Sequence, residues 1–315
     1  MLRLTECLFL VLIIILFVLG LLGNGFIGLV NGKNWFKSRR LSLSDFIITI
    51  LALSRIILLW ILVVDSVLMV LPSKIEDNTF IRKILGTSWT FMNHMSIWLV
   101  TCLSVLYCLK VANFSNPQFL WLKWRVSRMV VWMLLGAMLL SCASAMSRFH
   151  EYKIYVVTSE IKGTQNVSEY FGKKRKHGLI HALGMLWEFP PLTAMLASYF
   201  LLLFSLGRHI QQMQLRGTSS RDSTTDAHKK AIKLIFSFIV LFLLYYILIL
   251  LSFFRYFLPE PKMMKMIGEA FAIFYSAGHS FILIVGSNKL KQSLVQMIWC
   301  ETCQVKFGPK GSLAP

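Results

Sequence analysis

Long runs that are almost free of Asp, Glu, Lys and Arg divide the chain into apolar segments separated by short polar stretches. With the nearest charges as boundaries, the runs cover 7–32, 46–73, 84–109, 129–147, 177–207, 234–254 and 266–288. A helix needs about 17 to 25 apolar residues to cross the hydrocarbon core of a bilayer, and each run is long enough. The pattern predicts an all-α membrane protein, a single bundle of seven transmembrane helices without a soluble domain of useful size.

Composition agrees with this pattern. Of the 315 residues, 56% are hydrophobic and only 15% are charged, and the mean hydropathy is +0.65. A water-soluble protein has about a quarter of its residues charged. The net charge of +19 would suggest nucleic-acid binding in a soluble protein, but in a membrane protein it first raises the question of which loops hold the basic residues.

The distribution of Lys and Arg predicts the orientation in the membrane. If the N-terminus is outside, the inner segments hold more Lys and Arg than the outer ones, as the positive-inside rule requires. The sequon NVS at Asn166 lies in the longest outer loop, 148–176, and is therefore a candidate glycosylation site. The sequence predicts a multi-pass plasma-membrane protein with an extracellular N-terminus and a cytoplasmic C-terminus.

Helix boundaries follow from the apolar runs and their flanking residues. The predicted transmembrane helices cover about 7–32, 44–72, 84–111, 128–147, 179–208, 229–257 and 265–288. Leucine and methionine recur at helical spacing after residue 288, opposite lysines, which predicts a short amphipathic helix at about 289–299 on the inner leaflet. The proline pair at 190 and 191 predicts a kink in the fifth helix.

Polar residues gather in the predicted outer halves of the spans. In the segment SWTFMNHMSIW, 88–98, Trp89 and Asn93 are four residues apart and share a helix face, while His94 lies on the adjoining stripe. Candidates at a similar depth on other spans are Asp65, Glu188, Glu269 and either Tyr245 or Tyr246. An apolar and aromatic cavity with a few fixed polar groups is typical of a small-molecule site. The alternative is that these residues form hydrogen bonds that hold the helices together.

A second polar set belongs to the predicted inner half. Its members are Asn24, Arg55, Tyr107, Lys110, Ser205, His209, His228, Lys230, His279 and Ser280. An ionisable side chain at mid-membrane costs about 2.5 to 3.5 kcal/mol or more, so Arg55 in particular requires a partner or an aqueous cavity. The set is explained either by structural packing with anchoring at the inner leaflet or by a polar network that switches.

Several segments together resemble one known family. They are GNGFIGLVN (23–31), LSLSDFIITILALSR (41–55), the stretch 88–115, FLWLKWRVS (119–127), LLLFSLGRHIQQM (201–213), HKKAIK (228–233) and HSFILIVGSNKLKQ (279–292). Over essentially its whole length the chain is similar to the bitter taste receptors, the type 2 taste receptors of the G-protein-coupled class. One departure is that Tyr275 is followed by Ser276, where the family usually has Tyr-Pro.

The resemblance implies roles for particular residues. Trp89, Asn93, Tyr245 and Glu269 would face the ligand pocket. The coupling and activation elements would be Arg55, Tyr107, Lys110, Ser205, His228, Lys230, His279 and Ser280. The implied partners are bitter small molecules, a heterotrimeric G protein of the gustducin or inhibitory type and membrane lipids. The resemblance implies neither a cofactor nor an enzymatic activity.

Other classes of membrane protein fit the same pattern less well. A small-solute transporter or channel would use the same polar groups as a continuous path, but seven spans without an internal repeat are unusual for a transporter. A pheromone receptor of the vomeronasal type has a similar shape, although HSFILI and LSLSDF argue against it. A metal site is not predicted, because the CxxC at 300–303 has no second Cys or His pair nearby.

Overall fold

The computed structural model describes residues 4–38, 42–70, 79–112, 114, 116–160, 188–215, 223–254 and 261–306. The predicted glycosylation site Asn166 and the predicted start of the fifth span at 179 lie outside these ranges. Apart from single turns, the regular structure within them is α-helical. Its helices are α1 (Leu4–Ser38), α2 (Leu43–Val70), α3 (Thr79–Val111), α4 (Pro117–Trp124), α5 (Val126–Glu160), α6 (Phe189–Leu215), α7 (Ser223–Phe254), α8 (Pro261–Gly286) and α9 (Asn288–Lys306).

Seven of these helices are long and apolar enough to cross a membrane, all except α4 and α9. This confirms the predicted class, a bundle of seven candidate transmembrane helices followed by a C-terminal helix. The end of the bundle that carries Trp89 is termed the outer end and the end that carries Lys110 the inner end. Several helices continue beyond the predicted apolar runs, since α1 ends at Ser38 and α5 at Glu160.

The third helix lies at the centre of the bundle. It contacts α2, α5 and α6, and 67% of its apolar stretch is buried, against 22% for α1 and 28% for α5. On the other side of the bundle, α8 contacts α1, α2 and α7. Large side chains such as Trp132 and Phe36 remain exposed, as expected where a helix faces lipid rather than protein. Polar residues on α3 and α8 are therefore the best placed for a site inside the bundle.

The proline pair lies at a helix start rather than inside a helix. Pro190 and Pro191 occupy the first turn of α6, which begins at Phe189. Proline is tolerated there because the first amide groups of a helix have no intrahelical acceptor. The Pro191 carbonyl instead accepts a hydrogen bond from Thr101 Oγ1 at 3.1 Å, which ties α6 to α3. Among the described residues, the prolines thus belong to the start of α6, and the predicted kink stays a prediction.

Candidate functional site

Asn93 and Tyr245 form the centre of the outer polar set. Asn93 lies on α3 and Tyr245 on α7, and both side chains are buried, with 4% of each exposed. The Tyr245 hydroxyl donates a short hydrogen bond to Asn93 Oδ1. Because Asn93 and Trp89 are one helical turn apart, the same face of α3 also presents Trp89 towards the outer end.

Trp89 is half-buried and packs against the hydrophobic core. Its indole Nε1 is buried and makes no hydrogen bond to any described residue. An indole N–H is a donor only, and a buried donor without an acceptor is unfavourable. The geometry therefore leaves one donor near Asn93 ready for an acceptor atom.

Glu188 lies beside this centre, immediately before α6. Arg148 acts on its carboxylate electrostatically, and the carboxylate in turn acts on Tyr245 and Tyr246. Its Oε2 atom is buried and forms no hydrogen bond with the described residues. The structure therefore brings Glu188 to the same outer region as Tyr245.

His94 faces a different neighbour. It is fully buried, its Nδ1 lies 3.1 Å from Ser141 Oγ on α5, and its ring meets Trp98 edge-on with centroids 6.3 Å apart. Adjacent residues of a helix point about 100° apart, so His94 turns towards α5 while Asn93 turns towards α7. The structure does not bring His94 into contact with Tyr245, although both were predicted for one pocket.

Asp65 and Glu269 form a separate cluster between α2 and α8. Ser66 Oγ donates to Glu269 Oε2 at 2.5 Å, and Lys265 Nζ lies 3.0 Å from Asp65 Oδ2 and 3.5 Å from Glu269 Oε1. The two carboxylates thus share one ammonium group. Ser66 and Lys265 had not been singled out from the sequence, since a serine and a lysine near a span end are common in membrane helices.

Arg55 connects the outer centre to the predicted inner set. Its Nε donates to Ser96 Oγ on α3 at 3.4 Å, and its guanidinium carbon lies 5.3 Å from the centre of the Tyr275 ring. Tyr275 stacks on Tyr245, with centroids 4.3 Å apart. In the sequence, Tyr275 stands out only for the residue that follows it, so this tyrosine is the main site residue that was not predicted.

Below Tyr275, α8 carries the predicted His279 and Ser280. The His279 ring is 4.7 Å from Phe238 on α7 and 6.0 Å from Tyr275, measured between centroids. Ser280 Oγ donates to Asn24 Oδ1 on α1 at 2.7 Å. Both side chains are buried, so they join α8 to its neighbours and do not lie on an open surface.

The remaining inner candidates lie near the end of the bundle. Tyr107, Lys110 and Lys230 are exposed, Ser205 is half-buried, and the side chain of His228 falls outside the described part of the chain. A contact that was not predicted lies close by: Lys289 Nζ is 2.9 Å from Asp45 Oδ2 and 3.3 Å from Asn31 Oδ1. Within the described ranges, His, Cys, Asp and Glu form no group of three that could hold a metal ion.

Comparisons with known proteins agree on one family. A family model described as "Taste receptor protein (TAS2R)" matches residues 1–302. "Taste receptor type 2 member 3" of Papio hamadryas is 58% identical over 311 residues, 98% of this chain and 99% of that protein. The proteins of the same name from Homo sapiens and Mus musculus are 59% and 50% identical, covering 99% and 98% of this chain and 99% and 98% of their own lengths.

A solved structure supports the same architecture. The crystal structure of squid rhodopsin aligns with a TM-score of 0.59 at 16% sequence identity, covering 95% of this chain and 87% of that one. At this identity the likeness is one of fold.

Proposed function

The chain belongs to the taste receptor (TAS2R) family, and on this premise we propose that bitter small molecules bind between α3, α7 and α8 at the outer end of the bundle. The protein is a G-protein-coupled bitter taste receptor and not an enzyme, a transporter or a vomeronasal receptor. The observation that carries the proposed pocket is the buried pair of Asn93 and Tyr245, with the unsatisfied Trp89 indole one turn above it. Tyr245 supplies an aromatic wall and Asn93 an amide that recognises polar ligand atoms.

The acidic residues near this site form a cluster with one basic partner. Ser66 and Lys265 engage the carboxylate of Glu269, and the same Lys265 also pairs with Asp65. One ammonium group does not neutralise two carboxylates, so this cluster attracts cationic ligands, whereas the aromatic side chain of Tyr245 suits neutral ones. We therefore propose that Glu269, Asp65 and Glu188 lie at the edge of the pocket that is nearest the outer end. His94 would not contact the ligand but would stabilise α3 through its contact with α5.

Signalling requires that the ligand binds the active arrangement more tightly than the resting one. Shifting a population from 1:99 to 99:1 takes about 5.5 kcal/mol of differential binding. The total binding free energy of a micromolar ligand is about 8 kcal/mol. A large share of this binding free energy is needed to shift the conformational equilibrium, so the apparent affinity of the ligand is modest. Tyr245 stacks on Tyr275, and Tyr275 in turn lies next to Arg55 and His279. A ligand that contacts Tyr245 would therefore be linked through Tyr275 to buried polar groups of α2 and α8.

At the inner end, the proposed partner is a gustducin-type or inhibitory G protein. Lys110 and Lys230 are exposed there, and their positive charges form the proposed contact surface for the G protein. The residues proposed to change their contacts when the helices move are Arg55, Tyr107, Ser205, His228, His279 and Ser280. We accordingly propose that the inner end lies in the cytoplasm and that the N-terminus and Asn166 lie outside. The receptor would then lie in the plasma membrane, among lipids that contact exposed side chains such as Trp132.

A calcium-release assay in cells with a chimeric G protein tests the pocket. Trp89→Ala and Asn93→Ala should each abolish the response to an active bitter compound, or raise its half-maximal concentration by at least about tenfold, the equivalent of one lost buried hydrogen bond. Surface display is measured in parallel. Trp132→Ala is the matched control, because the Trp132 side chain is 68% exposed on the side of α5 that is expected to face lipid. Parent-like responses from both pocket variants would show that the site lies elsewhere.

A further inference from the structure

We propose that the centre of the bundle contains a binding site for a small anion of the chloride class, built on the guanidinium of Arg55. Only 1% of Arg55 is exposed, and it lies among the most completely buried large side chains of the described residues. Its Nη1 and Nη2 atoms are buried and make no hydrogen bond to any described residue. The one hydrogen bond of good geometry that the group makes to the described residues is the long one from Nε to Ser96 Oγ.

No carboxylate of the described residues acts on this cation. The side chains that interact electrostatically with it are Tyr199, Tyr245 and Tyr275, which are neutral phenols, and His279. Asp65 lies on the same helix, but ten residues of α-helix separate the two by about 15 Å. Asp65 is also paired with Lys265. Burying a cation without a counter-charge is strongly unfavourable. The described residues supply no negative charge for the Arg55 guanidinium, and an anion would supply it.

Unsatisfied donors surround the guanidinium on the α8 side. The Tyr275 hydroxyl lies close to Arg55, and both this hydroxyl and His279 Nδ1 are buried without a hydrogen-bond partner of good geometry among the described residues. A hydroxyl, an imidazole in the tautomer with hydrogen on Nδ1, and two guanidinium nitrogens are donors of the kind that an anion requires. Because Arg55 and His279 are each at most 2% exposed, the place is closed to a carboxylate ligand of drug size, and the proposed anion is monatomic.

Thermal unfolding of the purified, detergent-solubilised receptor tests this site. Chloride is titrated against gluconate at constant ionic strength, and bromide replaces chloride in a second series. We expect the unfolding temperature to rise with chloride and bromide and to saturate, because a ligand that binds only the folded state stabilises it. Arg55→Gln should remove the saturable response. Tyr275→Phe, which retains the ring and removes the hydroxyl, should raise the half-saturating chloride concentration severalfold.

Lys262→Gln is the control, because Lys262 is an exposed cation paired with Glu6 at the outer end, and this variant should respond to chloride like the parent. If Arg55→Gln does not fold, the comparison between the parent and Tyr275→Phe decides. The proposal is overturned if chloride and gluconate give the same unfolding temperature, which would indicate that water alone satisfies the guanidinium. It is also overturned if Tyr275→Phe keeps the half-saturating concentration of the parent.

Discussion

Tyr245 donates its hydroxyl hydrogen to the amide oxygen of Asn93, and both side chains are buried between α3 and α7. A buried acceptor that loses its donor costs about 1 to 3 kcal/mol, more than the net gain from an average hydrogen bond. The contact therefore serves two purposes in this receptor. It holds the two helices at a fixed spacing, and it sets the orientation of the amide that we assign to ligand recognition.

Replacing Tyr245 with Phe should lower the free energy of unfolding by about 1 to 3 kcal/mol, because Asn93 Oδ1 keeps its burial and loses its donor. The measurement is thermal unfolding of the purified receptor, combined with Asn93→Ala in a double-mutant cycle. We expect a coupling of at least about 0.5 kcal/mol between the two positions.

Tyr246→Phe is the control for this cycle, because the neighbouring hydroxyl makes no hydrogen bond to a described residue. Additive effects in the cycle, with Tyr245→Phe no more harmful than Tyr246→Phe, would mean that the hydrogen bond contributes nothing to stability.

At the scale of helices, a glycine of α8 makes room for a leucine side chain of α7. A Cβ atom added at Gly286 would lie 2.5 Å from Leu234 Cδ2 and 3.0 Å from Cδ1. Both distances are too short for carbon atoms, so an alanine there forces Leu234 to move or the helices to separate. The contact lies at the inner end, where α8 ends before Ser287.

Gly286→Ala should therefore reduce stability by about 1 kcal/mol, the low end of the range for overpacking, because the end of the Leu234 side chain can shift to make room. Gly28→Ala in α1 is the matched control. A Cβ there meets nothing within 4 Å, and alanine is favoured over glycine in a helix by roughly 0.5 to 1 kcal/mol. Adding Leu234→Ala to Gly286→Ala should restore part of the loss in thermal unfolding. Equal unfolding temperatures for the two glycine variants would contradict the close approach.

The sequence predicted the number and order of these helices better than their ends. Charge-free runs identify the part of a helix that lies in hydrocarbon, and all seven runs correspond to a helix long enough to span. Helices continue into the polar interface, where Lys and Arg extend their charged ends to water while their stems cover apolar surface. A boundary placed at the first charge therefore stops short, as at Ser38 and Glu160.

For the site, the position of a residue in the sequence predicted its depth in the membrane but not which neighbouring helix its side chain faces. Asn93 and Tyr245 were expected at a similar depth, and the structure joins them directly. His94 has nearly the same depth, yet it faces α5. Arg55 was assigned to the inner half, whereas its long side chain reaches Ser96 and Tyr275. Contacts between helices distant in sequence depend on these rotations, which periodicity along a single helix does not fix.

Across the whole molecule, a small ionic cluster at the inner end ties the start of α9 to two other helices. Lys289 follows the helix break at Ser287 and contacts Asp45 at the start of α2 and Asn31 in α1. The side chains of Asp45 and Lys289 are 27% and 39% exposed, so solvent screens the pair and it contributes about 0 to 1 kcal/mol. Even so modest a contact biases a two-state receptor if it exists only in the resting arrangement.

Asp45→Asn and Lys289→Gln should each raise agonist-independent signalling by at most about fivefold, the factor that corresponds to 1 kcal/mol. Basal activity is measured in the calcium-release assay and normalised to surface display. The exchanged pair, Asp45→Lys with Lys289→Asp, should return basal activity towards the parent value. Glu6→Gln, which removes the ion pair with Lys262 at the outer end, serves as the control. Unchanged basal signalling in both single variants would show that the cluster does not restrain the resting state.

The burial of Arg55 also has a consequence for how the receptor is made. Its helix is the second to leave the ribosome, whereas Tyr275, which covers the guanidinium, belongs to the seventh. A central arginine costs about 2.5 to 3.5 kcal/mol during insertion through the translocon. Ser96 on the third helix can meet part of that penalty, but the aromatic ring over the guanidinium is added only with the last membrane helix, so a product truncated before that helix lacks it.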